Sequence, residues 1–215
     1  MTKEFNKDNN RFYFSKETKT WYPSVTTIIG IIAKGEGFYQ WLRKEGEKSK
    51  EILTEAGDFG QNIHNQLEAI GKGIEVNLDA LKPKQRRCVE AFHKWVKENV
   101  KRFISVEELF VNTEDGYGGR IDAIVEMLDG TIAILDYKTS NSIYDTHELQ
   151  VGAYGVPRGI SDAYILRFEK DEKKEKDLEV RKITITYELF VIFLSALKVW
   201  NWKNKKIVEE MNKDV

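Results

Sequence analysis

The sequence predicts a mixed α/β domain with one central sheet, and two observations support this prediction. The chain has 215 residues, of which 41% are hydrophobic and 12% aromatic, enough to bury one sizeable core. Its apolar periodicity changes along the chain and gives the order helices, three strands, helix, two strands, helix. Strands and helices interleaved in this way are typical of a sheet covered by helices.

The first half of the chain is predicted to form a short hairpin followed by helices. In residues 11–22, aromatic residues flank a polar turn, and Ser24 is placed to cap a short helix. We expect further helices over residues 38–50, 51–71 and 83–102. The second of these carries an apolar stripe at spacings of three and four, formed by Ile52, Ala56, Phe59, Ile63, Leu67 and Ile70.

The second half of the chain alternates apolar and polar residues, as strands do. We expect strands over residues 104–112, 120–128, 131–137, 161–169 and 178–187, and helices over 144–156 and from 188 onwards. The whole chain, 1–215, is then one domain. It comprises an N-terminal hairpin and helical region (1–102), a sheet core (103–187) and a C-terminal helix (188–215).

Charge is unevenly distributed along the chain. The totals, 34 basic and 35 acidic residues, give a net charge of −1, but residues 82–102 hold eight basic against two acidic residues. Residues 107–148 hold ten acidic against two basic residues. This pattern suits an enzyme that binds a polyanion and a divalent cation, and it equally suits ion pairs within the protein.

The cysteine count and the hydropathy exclude several classes of protein. Cys88 is the only cysteine, so an intramolecular disulfide, a four-cysteine zinc site and an iron–sulfur cluster are excluded. We expect Cys88 to be a buried residue of a helix in a cytoplasmic protein. The polar N-terminus resembles no secretory signal, and no apolar run reaches the length of a membrane span.

The segments around Asp122 and Asp136 predict a metal site. Asp136 and Lys138 lie on the same side of the strand that ends in ILDYK, where two charges are costly unless compensated. A hairpin would bring Asp122 beside Asp136, and paired carboxylates favour a hard cation such as Mg²⁺ or Mn²⁺. Alternatively, Asp136 and Lys138 could be a surface ion pair. Gln150 and Tyr154 share one helical face directly downstream.

Five motifs together resemble the PD-(D/E)XK nuclease superfamily and, within it, the RecB-like exonucleases. They are GGRID ending at Asp122, DYKTS at 136–140, QVGAY at 150–154, GQNIH at 60–64 and YPSVTTII from Tyr22. The last is similar to the entry segment of phage and mitochondrial-maintenance members. The resemblance covers residues 22–187 and implies a restriction-endonuclease-like mixed sheet flanked by helices, with an N-terminal helical region.

Carried over residue by residue, the resemblance implies a Mg²⁺ or Mn²⁺ site. The implied metal ligands are His64, Asp122, Asp136 and the main-chain carbonyl of Tyr137. Lys138 would orient or activate the attacking water, and Gln150 and Tyr154 would be accessory catalytic residues.

Other candidate residues have weaker support. We expect His93 and His147 to be structural or surface residues and Glu68 to be solvated. Either Glu107 or Glu108 could face the site, because strand alternation alone does not choose between them.

The resemblance further implies a metal-dependent DNA exonuclease that acts on DNA ends in replication, recombination or repair. The DNA would carry a free end, and single-stranded DNA is one candidate. Basic side chains of residues 82–102 and aromatic side chains such as Trp21, Tyr39 and Trp41 would guide the strand. Any helicase or recombination partner would be a separate chain, and a viral source would place the protein in the host cytoplasm. A structure-specific endonuclease or junction resolvase and a non-catalytic DNA-end-binding module remain as alternatives.

Overall fold

Eight strands and seven α-helices make up the part of the fold that the structure describes. The computed structural model describes residues 3–8 and 10–213. The strands are β1 (Lys3–Lys7), β2 (Asn10–Ser15), β3 (Thr20–Pro23), β4 (Val100–Asn112), β5 (Tyr117–Met127), β6 (Ile132–Lys138), β7 (Asp162–Phe168) and β8 (Leu178–Thr184). The helices are α1 (Val25–Ile29), α2 (Glu36–Glu45), α3 (Lys48–Gly71), α4 (Pro83–Asn99), α5 (Asp145–Gly155), α6 (Tyr187–Lys203) and α7 (Lys205–Met211).

The central sheet has five strands in the order β4-β5-β6-β7-β8. Among the described strands of this sheet, β6 and β7 pair parallel, and α5 forms the crossover that a parallel connection requires. The other neighbours pair antiparallel. The predicted mixed α/β class with one central sheet flanked by helices is therefore confirmed.

Helices cover both faces of this sheet. On one face, α1, α5 and α6 pack side chains such as Ile28, Val151 and Phe193 into one core cluster. On the other face, α3 and α4 bury Ile63 and Phe92 in a second cluster. This three-layer arrangement places α3 and α5 on opposite sides of the ends of β5 and β6.

The N-terminal segment forms three strands rather than the predicted hairpin. β2 and β3 form the predicted pair, and β1 adds to β2 in antiparallel register. β1 escapes prediction because KEFNK holds a single large apolar residue and its pairing rests on backbone hydrogen bonds. Ser24 caps α1, its side chain accepting a hydrogen bond from the Thr27 N–H at 3.0 Å, as predicted.

Three helix boundaries differ from the predicted ones, each for a local reason. α2 and α3 separate at Gly46, whose φ of +56° favours glycine. α4 ends at Asn99 rather than at residue 102, because Lys101 and Arg102 each lie 2.6 Å from Glu126 across the sheet. The single C-terminal helix expected from residue 188 breaks at Asn204.

The basic residues of residues 82–102 mostly neutralise acids of the protein itself. Lys84, which is 3% exposed, and Arg87 each lie 2.7 Å from Asp177 in the connection between β7 and β8. Arg86, Lys101 and Arg102 also form ion pairs, so five of the eight basic residues of this segment are paired. Charge compensation within the protein therefore accounts for most of this basic segment.

Cys88 lies in the same helix and is fully buried, as predicted. Burial raises the pKa of its thiol to about 12, so the side chain behaves as a small hydrophobe. Among the described residues, no helix has the length and apolar content needed to cross a membrane.

Close helix packing gives a stability prediction at Gly152, where α5 crosses α6. A Cβ added there would lie 2.9 Å from the Leu189 Cβ, whereas one added at Gly57 on α3 would meet nothing within 4 Å. We expect Gly152→Ala to lower the free energy of unfolding by about 1–3 kcal/mol through overpacking. Gly57→Ala, the matched control, should raise it by about 0.4–1 kcal/mol. Urea unfolding of both variants measures the difference, and equal effects would contradict the packing explanation.

Candidate active site

The pairing of β5 with β6 places two carboxylates side by side. Ala123 pairs with Leu135 and Ile124 with Ile134, so the same register sets Asp122 opposite Asp136. The Asp122 Oδ2 accepts a 2.6 Å hydrogen bond from the Tyr137 N–H, which fixes the carboxylate against β6. The predicted hairpin contact between Asp122 and the Asp136 segment is thus confirmed.

Asp136 and Lys138 form a buried ion pair at the end of β6. Asp136 is 1% exposed, and its Oδ2 lies 2.6 Å from the Lys138 Nζ. Among the described residues, the Lys138 ammonium is the polar partner of this buried oxygen. Burial raises the pKa of Asp136 to about 6, and the Lys138 ammonium opposes that rise. The surface ion pair considered above is therefore excluded for Asp136.

Gln150 and Tyr154 reach this pair from α5. Gln150 donates a 3.0 Å hydrogen bond from Nε2 to the Asp136 Oδ1, and a 3.2 Å contact joins the same nitrogen to the Tyr154 hydroxyl. Burial raises the pKa of Tyr154 well above its usual value, so its hydroxyl stays neutral. A Cβ at Gly119 on β5 would lie 2.8 Å from Tyr154, which shows how closely the strand approaches this ring. Gln150 therefore holds one carboxylate oxygen of Asp136, and the Lys138 ammonium lies against the other.

His64 comes from α3 on the opposite side of the sheet. Its Nδ1 lies 3.6 Å from the Asp122 Oδ1, and burial lowers the pKa of the imidazole. A neutral imidazole is the form that binds metal ions. Gly60, one turn earlier, allows α3 to come this close, because a Cβ there would lie 2.7 Å from the Thr139 Oγ1.

Glu107 is the acid of β4 that faces the site, which settles the choice that the sequence left open. Its φ of +54° is unusual for a strand residue, and it lies between two paired positions, Val106 and Glu108. The irregular backbone turns its side chain toward Arg120, whose Nη1 lies 3.2 Å away. Glu108 points elsewhere and pairs with Arg158 at 2.9 Å.

Three of these residues could share one metal ion. His64, Glu107 and Asp122 each offer a ligand atom, and the three atoms lie within 4.8 Å of one another. One imidazole nitrogen and two carboxylate oxygens suit a divalent cation such as Mg²⁺ or Mn²⁺. Asp136, which the sequence also predicts as a ligand, is not part of this group, and its Oδ2 lies 2.6 Å from the Lys138 Nζ instead. Two of the predicted ligands, His64 and Asp122, therefore share a group that could hold a divalent cation, and Glu107 is its third member; Asp136 and the Tyr137 carbonyl remain predictions.

The site opens into a cleft of about 600 Å³. Three cationic side chains line it, namely Arg11, Arg120 and Lys138, and none of the lining residues belongs to α4. Glu68 lies at this cleft and pairs with Lys72, so it is not simply solvated as expected. The cations that line the cleft come from strands, not from the basic helix, and each is paired with an acid of the protein.

The remaining histidines lie where the sequence predicts structural or surface residues. His147 is buried, its Nδ1 accepting a 3.2 Å hydrogen bond from the Tyr144 N–H. Burial lowers its pKa to about 3. His93 is exposed on α4. Neither residue lies in the cleft.

Sequence comparison identifies no protein family and no curated protein that matches the chain. Solved structures with some likeness include SSO0001, with 16% identity, a TM-score of 0.44 and coverage of 87% of this chain and 82% of that one. LHK-Exo, an alkaline exonuclease from Laribacter hongkongensis, has 13% identity, a TM-score of 0.44 and coverage of 71% and 83%. The structure of LHK-Exo in complex with dAMP has 14% identity, a TM-score of 0.43 and the same coverage of the two chains. Likeness of this degree carries no conclusion about the chemistry of the chain, which rests on the site itself.

The raised pKa of Asp136 predicts a pH-dependent metal affinity. Its carboxyl must lose a proton before it can bind a cation, so the affinity for Mn²⁺ should rise as the pH increases through about 6 and level off above that value. Titration calorimetry with Mn²⁺ below and above this pH measures the change. In Asp136→Asn the rise should be weaker, and an affinity independent of pH in the unmodified protein would contradict the prediction.

Proposed function

We propose that this chain is a Mg²⁺- or Mn²⁺-dependent DNA exonuclease that hydrolyses phosphodiester bonds at DNA ends. One observation carries the proposal: Asp122 lies opposite Asp136 at a strand end, with the Lys138 ammonium 2.6 Å from Asp136 and His64 3.6 Å from Asp122, beside an open cleft. Carboxylates, a lysine and an imidazole in this arrangement provide both metal ligands and a group that can handle a water proton.

Each residue of the site has a defined role in the proposed reaction. His64, Asp122, Asp136 and the Tyr137 carbonyl, with Glu107 added by the geometry, hold the cation. Once bound, the cation supplies stabilisation of phosphoryl charge and lowers the pKa of water. Lys138 orients that water or stabilises the developing negative charge. Gln150 and Tyr154 keep Asp136 in place.

The substrate we propose is DNA with a free end, with a single strand as the first candidate. Arg11 and Arg120 line the cleft beside the metal ligands, and backbone phosphates would replace the carboxylates of Glu4 and Glu107 that now pair with them. On α2, Tyr39 is 41% exposed and could stack on a base. We place this activity in replication, recombination or repair in the cytoplasm (of the host, for a phage source), with any helicase or recombination partner as a separate chain. Residues 1–215 act as one domain in this proposal.

Metal-dependent cleavage of labelled DNA tests the proposal directly. Single- and double-stranded oligonucleotides labelled at the 5′ or the 3′ end should be degraded with Mg²⁺ or Mn²⁺ and stay intact with EDTA. The position of the label that is released first gives the polarity. DNA that is bound but never cleaved would contradict the proposal and would support a non-catalytic DNA-end-binding module.

Substitutions at the site should remove catalysis without unfolding the protein. We expect Lys138→Ala and Asp136→Asn to lower the rate by about a hundredfold to ten-thousandfold, because each removes a charge at the reacting centre. Glu107→Gln should weaken Mn²⁺ binding. Glu108→Gln is its matched control, since Glu108 is the neighbouring acid and pairs with Arg158 instead. Folded Asp136→Asn and Lys138→Ala proteins that digest DNA normally would overturn the assignment.

Substrate topology separates an exonuclease from an endonuclease. An exonuclease should degrade linear single-stranded DNA and leave closed-circular single-stranded DNA of the same sequence intact. Cleavage of both at similar rates would favour the structure-specific endonuclease or junction resolvase. A gel assay with both substrates in one reaction provides the internal control.

A further inference from the structure

Helix α6 is apolar on two opposite faces. Its inner face buries side chains in the core, among them Phe193, Leu197 and Trp200. Its outer face exposes five large apolar residues, here called the outer stripe: Tyr187 (69% exposed), Val191 (43%), Ile192 (45%), Val199 (48%) and Trp202 (70%). A helix that is apolar all round is normally buried. In this chain, only one side of α6 is covered.

The outer stripe is large for a monomer surface. Two aromatic and three aliphatic side chains with these exposures present on the order of 500 Å² of apolar surface. That area is near the upper end of what monomeric proteins leave exposed, and such patches are often interaction sites. Pairing two copies of the stripe would bury on the order of 1,000 Å², the scale of a specific interface.

The charges beside the stripe indicate which partner it fits. Glu188 lies in the first turn of α6, Lys198 in its second half and Lys203 in its last turn, and all three are exposed. One acid and two bases give a net charge of only +1, much less than the basic clusters that bind a polyanion or an anionic membrane surface. A second α6 packed antiparallel, however, would bring the acidic end of each helix toward the basic half of the other.

We propose that the outer stripe is a self-association surface, in which α6 packs antiparallel against α6 of a second copy around Ser195. Ser195 is exposed, small and central on the outer face, so two helices can approach closely there. A twofold axis at this point sets Val191 opposite Val199 of the second copy. Glu188 then lies beside Lys203 and about one helical turn from Lys198 of the second copy, within reach of both long side chains.

This association leaves the cleft open. No residue of the outer stripe lines the cleft, and α6 covers the face of the sheet opposite to the one that α3, with its His64, covers. Self-association is thus independent of the proposed nuclease activity. Each can be tested, and can fail, without the other.

Sedimentation velocity over a wide range of protein concentration tests whether the outer stripe mediates self-association. The unmodified chain should shift from monomer to dimer as concentration rises, and Ile192→Glu and Val199→Glu should remain monomeric. Asn201→Glu is the matched control, because it adds the same charge at an exposed position of α6 away from Ser195 and should still dimerise. Circular dichroism confirms that each variant is folded. A chain that stays monomeric, or a dimer that Ile192→Glu and Val199→Glu do not disrupt, would overturn the proposal.

Charge reversal tests the antiparallel geometry. Glu188→Lys should raise the dimer dissociation constant by about tenfold, because two like-charged contacts replace two ion pairs. Adding Lys198→Glu to that variant should restore most of the affinity. Failure of the double variant to recover would exclude the antiparallel arrangement.

Discussion

The buried pair of Asp136 and Lys138 is the constraint around which the rest of the site is arranged. A carboxylate that is 1% exposed costs several kcal/mol of desolvation, and one ammonium repays this only in part. The pKa of Asp136, raised to about 6, reflects the part of the desolvation cost that the ammonium does not offset. Replacing such a pair by apolar residues is often stabilising. Its presence at the end of the central strand β6 therefore favours a chemical role over a structural one.

Keeping that pair in place imposes close packing on both sides of the sheet. Gln150 must approach Asp136 to 3.0 Å, which requires α5 to lie close to β5 at Gly119 and to α6 at Gly152. On the other side, Gly60 lets α3 approach β6 closely enough for His64 to reach Asp122. The glycines of the GGRID, QVGAY and GQNIH segments are thus explained by steric contact. Gly119 lies against Tyr154 and Gly60 against Thr139, whereas Gly118 and Gly152 lie against Tyr13 and Leu189.

Sequence periodicity could predict the features that depend on strand alternation and hairpin length. The opposition of Asp122 and Asp136 follows from a short turn between two strands, and the shared side of Asp136 and Lys138 follows from their spacing. Glu107 could not be chosen over Glu108, because its orientation depends on a positive φ that the sequence does not reveal. The sequence does not predict β1 for a related reason. Its pairing comes from backbone hydrogen bonds, which leave no apolar pattern in KEFNK.

The charge of the cleft links metal binding to the binding of a polyanion. Four carboxylates line the cleft, from Glu4, Glu68, Glu107 and Asp122, against the three cations of Arg11, Arg120 and Lys138. The imidazole of His64 adds no charge when neutral, and Asp136 lies just behind with a further carboxylate. Without a cation this surface has an excess of negative charge and repels phosphate. A divalent ion reverses that balance locally, so a phosphate could be held between the ion and the arginines only once the ion is bound.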